Sequence, residues 1–291
     1  MKLGAIEAGG TKFVVAIGDE TGRIEKRESF PTTTPEETLA KVFAFFDQFD
    51  IEALGVGTFG PIDPDPNSPT YGYITTTPKP HWNQVDILGQ LKQRYPIPMG
   101  FDTDVNGAAL GEVSFGAAKG LDSCLYLTIG TGIGGGAVVE GKLVHGLLHP
   151  EMGHMRLVSH PDDEFRGICP YHPYCFEGLA SGPAIEARCH QKAYELPKDH
   201  PVWEMEAYYI GQALATYILI LSPKKIILGG GVMKQTQLFP RIHHYTQSFL
   251  NGYIQKPEIS SGIKDYIVAP GLGDNAGICG ALALAKQALE K

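Results

Sequence analysis

No block of lysines and arginines interrupts this 291-residue chain, and its 24 basic residues are outnumbered by 32 acidic ones, for a formal charge of −8. That balance argues against a nucleic-acid or anionic-membrane surface, so phosphate contacts must be local. No uninterrupted apolar run approaches the roughly 20 residues that a membrane helix needs. The opening residues lack both a basic stretch leading into an apolar one and a small-residue cleavage site, from which a cytoplasmic protein is expected. Cysteine is scarce: five residues, an odd number, point away from a disulfide framework and toward thiols or metal ligation. The G-x-x-x-x-G-K-[ST] loop occurs nowhere, which disfavours a P-loop nucleotidase. What remains, 43% hydrophobic and 19% charged, is an ordinary globular composition, long enough for a substantial core and two lobes.

Glycine, by contrast, is abundant and placed. Three glycine-rich turns, Glu7-Ala-Gly-Gly-Thr-Lys12, Thr128-Ile-Gly-Thr-Gly-Ile-Gly-Gly-Gly136 and Ile227-Leu-Gly-Gly-Gly231, each follow an apolar, strand-like run. Glycines there let main-chain N–H groups approach phosphate oxygens with no Cβ in the way, and threonine hydroxyls add donors. Two phosphate loops and a nucleoside shelf fit one bound ATP. Gly130 to Gly135 also satisfies the dinucleotide pattern G-x-G-x-x-G, with Glu151 near the distance of a ribose-binding acid. In that motif the glycines open a helix, whereas here they run into Gly136-Ala-Val-Val, a strand by composition, so a β-hairpin loop fits better.

The periodicities predict strands over 3–8, 13–18, 23–30, 53–59 and 99–103, and helices from Pro35, near 85–95 and over 106–116. A strand, glycine turn, strand unit follows at 124–139. Long helices are expected at 203–221, 239–253 and 275–289, with a short strand at 225–228. The proline-rich stretch Gly60 to Trp82 cannot be regular structure, and long loops of this kind are usually functional. The first lobe is expected to span 1–117, joined by a C-terminal helix at 275–291, and the second to span 118–274, with hinges near Gly116–Gly120 and Gly271–Gly273.

Two constellations carry chemistry. Phe101-Asp-Thr-Asp-Val-Asn106 lies where a strand gives way to a helix, a place where open α/β sheets bind ligands. Asp104 there could take a proton from an attacking hydroxyl, or simply N-cap the helix; the pattern does not choose. Cys169-Pro-Tyr-His172-Pro-Tyr-Cys175 spaces three soft or borderline ligands with two residues between each, and His154 upstream is the natural fourth. Such a set suits tetrahedral zinc in a closed, structural site. Cys124, Cys189 and Cys279 lack ligand-spaced partners and read as small buried hydrophobes.

Together these segments resemble the sugar kinases of the ROK family, within the actin-like ATPase superfamily, over nearly the whole chain. The opening Glu-Ala-Gly-Gly-Thr-Lys, the Gly60-Pro-Ile-Asp loop with Thr77-Pro-Lys-Pro-His-Trp82, and the short zinc loop look most like the bacterial fructokinase branch. The resemblance implies an α/β, two-lobed, ribonuclease H-like fold with the active site in the interlobe cleft. It implies an ATP-dependent hexokinase-type transfer, to D-fructose first, with glucokinase or mannose-accepting specificity as the near rivals and a non-catalytic sugar sensor or regulator behind them. It implies Asp104 as general base, and Gly60, Thr103, Glu151, His154 and Glu177 lining the sugar site. Gly9, Gly10, Thr11 and Lys12, Gly130, Thr131 and Gly132, and Gly229, Gly230 and Gly231 are expected to hold Mg²⁺-ATP and to release ADP. A Zn²⁺ ion on His154, Cys169, His172 and Cys175 and a homodimer complete the expectation. The chain departs from many relatives in having Thr103 where asparagine is common, Glu7 for aspartate, and His172 between the two cysteines of the zinc loop.

Overall fold

A computed structural model describes residues 1–290; Lys291, the last residue of the expected C-terminal helix, lies outside the described residues. The chain forms two compact units, one made of residues 1–122, 136–150 and the segment from Gly271 on, the other of 123–135 and 151–270.

In the first unit β1 (Leu3–Ala8), β2 (Lys12–Gly18) and β3 (Ile24–Pro31) form an antiparallel meander. Helix α1 (Pro35–Phe46) follows, then β4 (Ala53–Thr58), which pairs parallel with β1. Thr34 caps α1 by accepting from the Glu37 N–H, and Pro35 occupies the first turn, where its missing N–H costs nothing. The short strands β5 (Tyr73–Ile74) and β6 (Val85–Asp86) pair with each other, and helix α2 (Ile87–Arg94) leads to β7 (Met99–Thr103) and helix α3 (Asp104–Phe115). The sheet order is β3-β2-β1-β4-β7.

One face of that sheet packs Phe13, Val15 and Val56 against Leu39, Val42, Phe45 and Phe46 of α1, with Trp82 sealing the cluster. Burying a side chain such as Phe46 contributes about 2–3 kcal/mol. The other face takes the C-terminal helix, Ala276–Leu289, through Ile278, Ala281 and Leu282. Small residues allow main chain to meet main chain there. A Cβ on Gly55 would lie 1.8 Å from the Ala281 carbonyl oxygen, and one on Gly280 would lie 1.8 Å from that of Gly107. Any side chain at either position would push these elements apart.

The second five-stranded sheet has the order β10-β9-β8-β11-β12. Its strands are β8 (Cys124–Ile129), β9 (Ile133–Val139), β10 (Lys142–Leu143), β11 (Ile226–Gly229) and β12 (Ile267–Val268), with β8, β11 and β12 mutually parallel. The second unit also holds helices α4 (Phe176–Ala180), α5 (Gly182–Cys189), α6 (Val202–Leu221) and α7 (Leu238–Leu250). Helix α6 buries Trp203, Tyr209, Ile210 and Leu214. Among the described residues no helix is long and apolar enough to cross a membrane.

Two helix starts differ from the sequence expectation. The helix expected from Val85 begins at Ile87, because Asp86 accepts from the Gly89 N–H at 2.7 Å and the preceding pair joins β6. The one expected from Asn106 begins at Asp104, because Thr103 is the cap.

Candidate active site

The first glycine turn closes tightly. The Gly9 N–H donates to the Lys12 carbonyl at 3.0 Å, and the Thr32 hydroxyl donates to the Gly9 carbonyl at 2.7 Å. A Cβ on Gly10 would meet nothing within 4 Å, and Thr11 and Lys12 are exposed, so this tip presents main chain to open space. Beneath it Glu7, next to last in β1, has one carboxylate oxygen unpartnered among the described residues. Burial raises the Glu7 pKa, opposed by the charges of Lys12 and Arg27. A Cβ on Gly277 would lie 2.5 Å from the Glu7 Cδ, so a glycine makes room for the methylene that glutamate adds over aspartate.

The strand-to-helix corner after β7 is held by hydrogen bonds. Thr103 Oγ1 accepts from the Asn106 N–H at 3.1 Å, which assigns the capping role to Thr103 and leaves Asp104 as the first helical residue. An Asp104 oxygen accepts from the Val105 N–H at 2.9 Å. The adjoining Asp102 is buried and accepts from the Thr103 N–H, from Asn106 Nδ2 and from His145 Nε2, each at 2.8 Å. Main chain also abuts the corner: a Cβ on Gly136 would lie 2.1 Å from the Val105 carbonyl oxygen.

In the proline-rich loop Gly60 leads into a cis Gly60–Pro61 bond and packs against His149, whose Nε2 accepts from the Ile62 N–H at 3.3 Å. Trp82 at the far end is fully buried, donating Nε1–H to the Thr33 carbonyl at 2.8 Å between the rings of Phe13 and Phe59. Core packing thus pins both ends of the loop.

In the second unit the Gly130–Gly132 turn receives Glu177 from α4. A Glu177 oxygen accepts from the Ile133 N–H at 2.9 Å and lies 2.7 Å from where a Cβ on Gly132 would stand. The Gly182 N–H donates to the Gly130 carbonyl at 2.7 Å, fixing α5 to the same turn. Gly229 to Gly231 divide in role. Gly229 clears the Tyr126 hydroxyl and Gly230, at φ +90°, sits against Ile129, while a Cβ on Gly231 would meet nothing within 4 Å. Protein packing accounts for the first two glycines, and only the third faces open space.

Glu151 precedes a single turn, Met152–His154, that presses on β9: a Cβ on Gly153 would lie 1.8 Å from the Ile133 carbonyl oxygen. The Tyr217 hydroxyl donates to the Met152 carbonyl at 2.5 Å. His154 then turns its Nδ1 to Cys169 Sγ at 3.7 Å and to Cys175 Sγ at 3.8 Å, and His172 Nδ1 stands 3.7 Å from Cys169 Sγ. Ligand atoms of all four residues lie within 4.8 Å of one another. Tetrahedral bonds of about 2.3 Å to sulfur and 2.0–2.1 Å to nitrogen place such atoms roughly 3.6 Å apart, so the donor set and spacing fit zinc. Burial pushes the Cys175 thiol up to about 11, so keeping it as a thiolate takes a cation beside it. The remaining cysteines are free thiols, Cys124 and Cys279 buried and Cys189 partly so.

Sequence reasoning missed three side chains: His145, His149 and Glu112. The buried Glu112 carboxylate accepts from the Ala117, Gly271 and Leu272 N–H groups at 2.6, 3.0 and 3.0 Å, tying the end of α3 to a segment over 150 residues on. No local motif marks any of the three, because every partner is remote or follows a helix end.

Two mixed sheets, with glycine hairpins opening them and a carboxylate at a strand-to-helix corner, define a protein of the actin-like ATPase fold. The ROK family pattern matches residues 3–288, and the chain belongs to the ROK family. A Bacillus subtilis relative is 60% identical over 99% of this chain and 96% of its own length. The fructokinase of Pediococcus pentosaceus is 49% identical over 100% of this chain and 99% of its own. Among solved structures, a ROK family glucokinase from Streptomyces griseus in complex with glucose and AMPPNP superposes with a TM-score of 0.79 at 27% identity, covering 99% of this chain and 100% of that one.

Proposed function

We propose that this chain is an ATP-dependent fructokinase, with Asp104 as the base that accepts the proton of the sugar's 6-hydroxyl. The observation that carries the chemistry is the corner itself. Thr103 caps α3, so Asp104 stands in the helix's first turn at a strand-to-helix corner held by buried hydrogen bonds, which is what supports it as the base. Identity of 49% over the full length to a fructokinase supports fructose as the acceptor.

Phosphoryl transfer asks little covalent help from a protein beyond placement, charge neutralisation and a proton acceptor. As the fructose oxygen bonds to the γ-phosphorus, its proton passes to Asp104, the bond from that phosphorus to the β–γ bridging oxygen breaks, and ADP leaves with the electron pair. The open tip at Gly10–Lys12 and the exposed Thr131 of the second turn offer main-chain N–H groups to the phosphates, and Gly231 offers a flat face to the nucleoside. Mg²⁺ accompanying ATP supplies charge neutralisation, and the unpartnered oxygen of Glu7 beside the first hairpin suits the ion's water shell.

Gly60, Thr103, Glu151, His154 and Glu177 are the sugar-lining residues of this reading. His154 has its Nδ1 turned to the cysteines, so a zinc ion on His154, Cys169, His172 and Cys175 would fix the imidazole while its Nε2 stays available to a hydroxyl. A panel of fructose, mannose, glucose and N-acetylmannosamine, assayed by ADP release with Mg-ATP, tests the specificity. The highest kcat/KM is expected for fructose, and a preference for glucose would reassign the chain to the glucokinases.

A further inference from the structure

Beside the base corner, and within the first unit, lies a cavity of about 470 Å³ that no part of the proposed mechanism uses. Tyr71, Met99, Phe101, Leu143 and Leu284 line it, together with Asp102, His145 and Lys142. Its buried end is the Asp102 carboxylate, 3% exposed, and its solvent side is the His145 imidazole, 33% exposed. Asp102 is saturated. One oxygen accepts from the Thr103 N–H and Asn106 Nδ2, and the other pairs with His145 Nε2, while Asn106 Nδ2 also stands 3.3 Å from His145 Nε2. These bonds grip the residues immediately before and after Asp104 and Val105. His145 comes from the segment after β10, so a side chain from a different part of the chain completes the corner.

We propose that Asp102 and His145 are positioning residues for Asp104: a buried carboxylate, held by an imidazole that reaches it across the cavity, sets the corner from which the base acts. The proposal rests on Asp104 being the base. A solely architectural role is less well suited to what is seen. An apolar residue at 102 would line the cavity with Tyr71 and Leu284 at no desolvation cost, whereas a carboxylate in this place must keep three donors in register to be tolerated. That requirement is what fixes the Thr103 and Asn106 geometry.

The pair also responds to pH. Its hydrogen bond to Asp102 raises the His145 pKa above the ordinary 6.5, against the lowering effect of partial burial. Two other titratable groups share the cavity with the pair, Tyr71 and Lys142, and a third, Lys92, lies over the first of them. The Tyr71 phenol is raised by burial and by the Asp102 charge, and the Lys92 ammonium lies 5.3 Å above its ring. Below the raised pKa the imidazolium offsets the Asp102 charge. Above it a neutral imidazole still donates from Nε2, but the carboxylate two residues from the base is no longer neutralised.

The test uses the full chain with Mg-ATP and fructose. For His145→Ala, kcat is expected to fall roughly 10- to 100-fold, the cost of a base displaced by up to about an ångström, with the KM for fructose within about twofold. His145→Gln, which keeps an N–H donor but cannot titrate, is expected to recover most of that loss and to lack the inflection above pH 6.5 that the wild-type kcat profile carries. Independently of activity, the His145 ring in nuclear magnetic resonance titrates above 6.5, and returns toward 6.5 in Asp102→Asn. Unchanged kcat in folded His145→Ala, or a His145→Gln profile that keeps the inflection, overturns the proposal. Failure of the base assignment itself would appear separately, as an Asp104→Asn enzyme that still turns over.

Discussion

The strand-to-helix corner at Asp104 and the Cys/His loop at 169–175 are built on opposite principles. At the corner every acceptor of Asp102 is met by a donor of the protein, so the geometry is complete without any added group. In the loop the four ligand side chains meet chiefly one another, and the buried Cys175 thiol resists ionisation without a cation nearby. The contrast teaches that the corner is set by folding alone, whereas the loop gathers donors that a cation would complete.

With zinc held as proposed, removing it should therefore separate the two most strongly. Chelation, or Cys175→Ser, is expected to cost about 4 kcal/mol, or roughly 10 °C in Tm for a chain of this size, and to weaken fructose binding through the loosened His154. Calorimetry of metal-free, folded protein checks it; unchanged fructose affinity would uncouple the loop from the sugar site.

The corner's helix offers the next largest effect. Glu112 anchors the far end of α3 as Asp102 anchors the near end, and Glu112→Ala strands three N–H groups at once. A loss of about 3 kcal/mol is expected in urea unfolding, insensitive to chelators. A chelator-dependent loss would mean that the two regions are not independent.

The smallest effect concerns Glu206 on α6, fully buried with neither oxygen partnered among the described residues. Burial raises its pKa well above the ordinary 4.5, with the Arg188 charge opposing. The folded state therefore favours the protonated acid, and the stability so contributed is present below pH 4.5 and is lost as pH rises toward the raised value. Glu206→Gln removes that loss and is expected to gain about 1–2 kcal/mol over wild type at pH 8, and less at pH 5. A gain independent of pH would show that the folded and unfolded states titrate this carboxyl alike, so that burial does not raise its pKa.

Much of this was legible in the chain because it is local. The strand leading into each glycine turn is signalled by its own composition, and the candidate metal ligands Cys169, His172 and Cys175 by their spacing, with His154 brought to them by the turn after Pro150. Which residue caps α3 was not legible, since threonine and aspartate both cap helices and only the geometry of Thr103 Oγ1 assigns that role to Thr103. Nor could the glycines of 229–231 be sorted, because what crowds Gly229 is Tyr126, a hundred residues earlier in the chain. His145 reaches Asp102 across 43 residues and Glu112 reaches Gly271 across 159; such contacts leave no periodicity to read.

The central claim is that Asp104 accepts the acceptor hydroxyl's proton during transfer from ATP. Asp104→Asn keeps the size and most of the hydrogen bonding of the side chain, so it isolates that role. Steady-state turnover with Mg-ATP and fructose, paired with calorimetric fructose binding on the same preparation, is the direct measurement. The account predicts a fall in kcat of about 10²- to 10⁴-fold with fructose affinity within a few-fold of wild type. Turnover near the wild-type rate, or fructose binding lost together with activity, would contradict it.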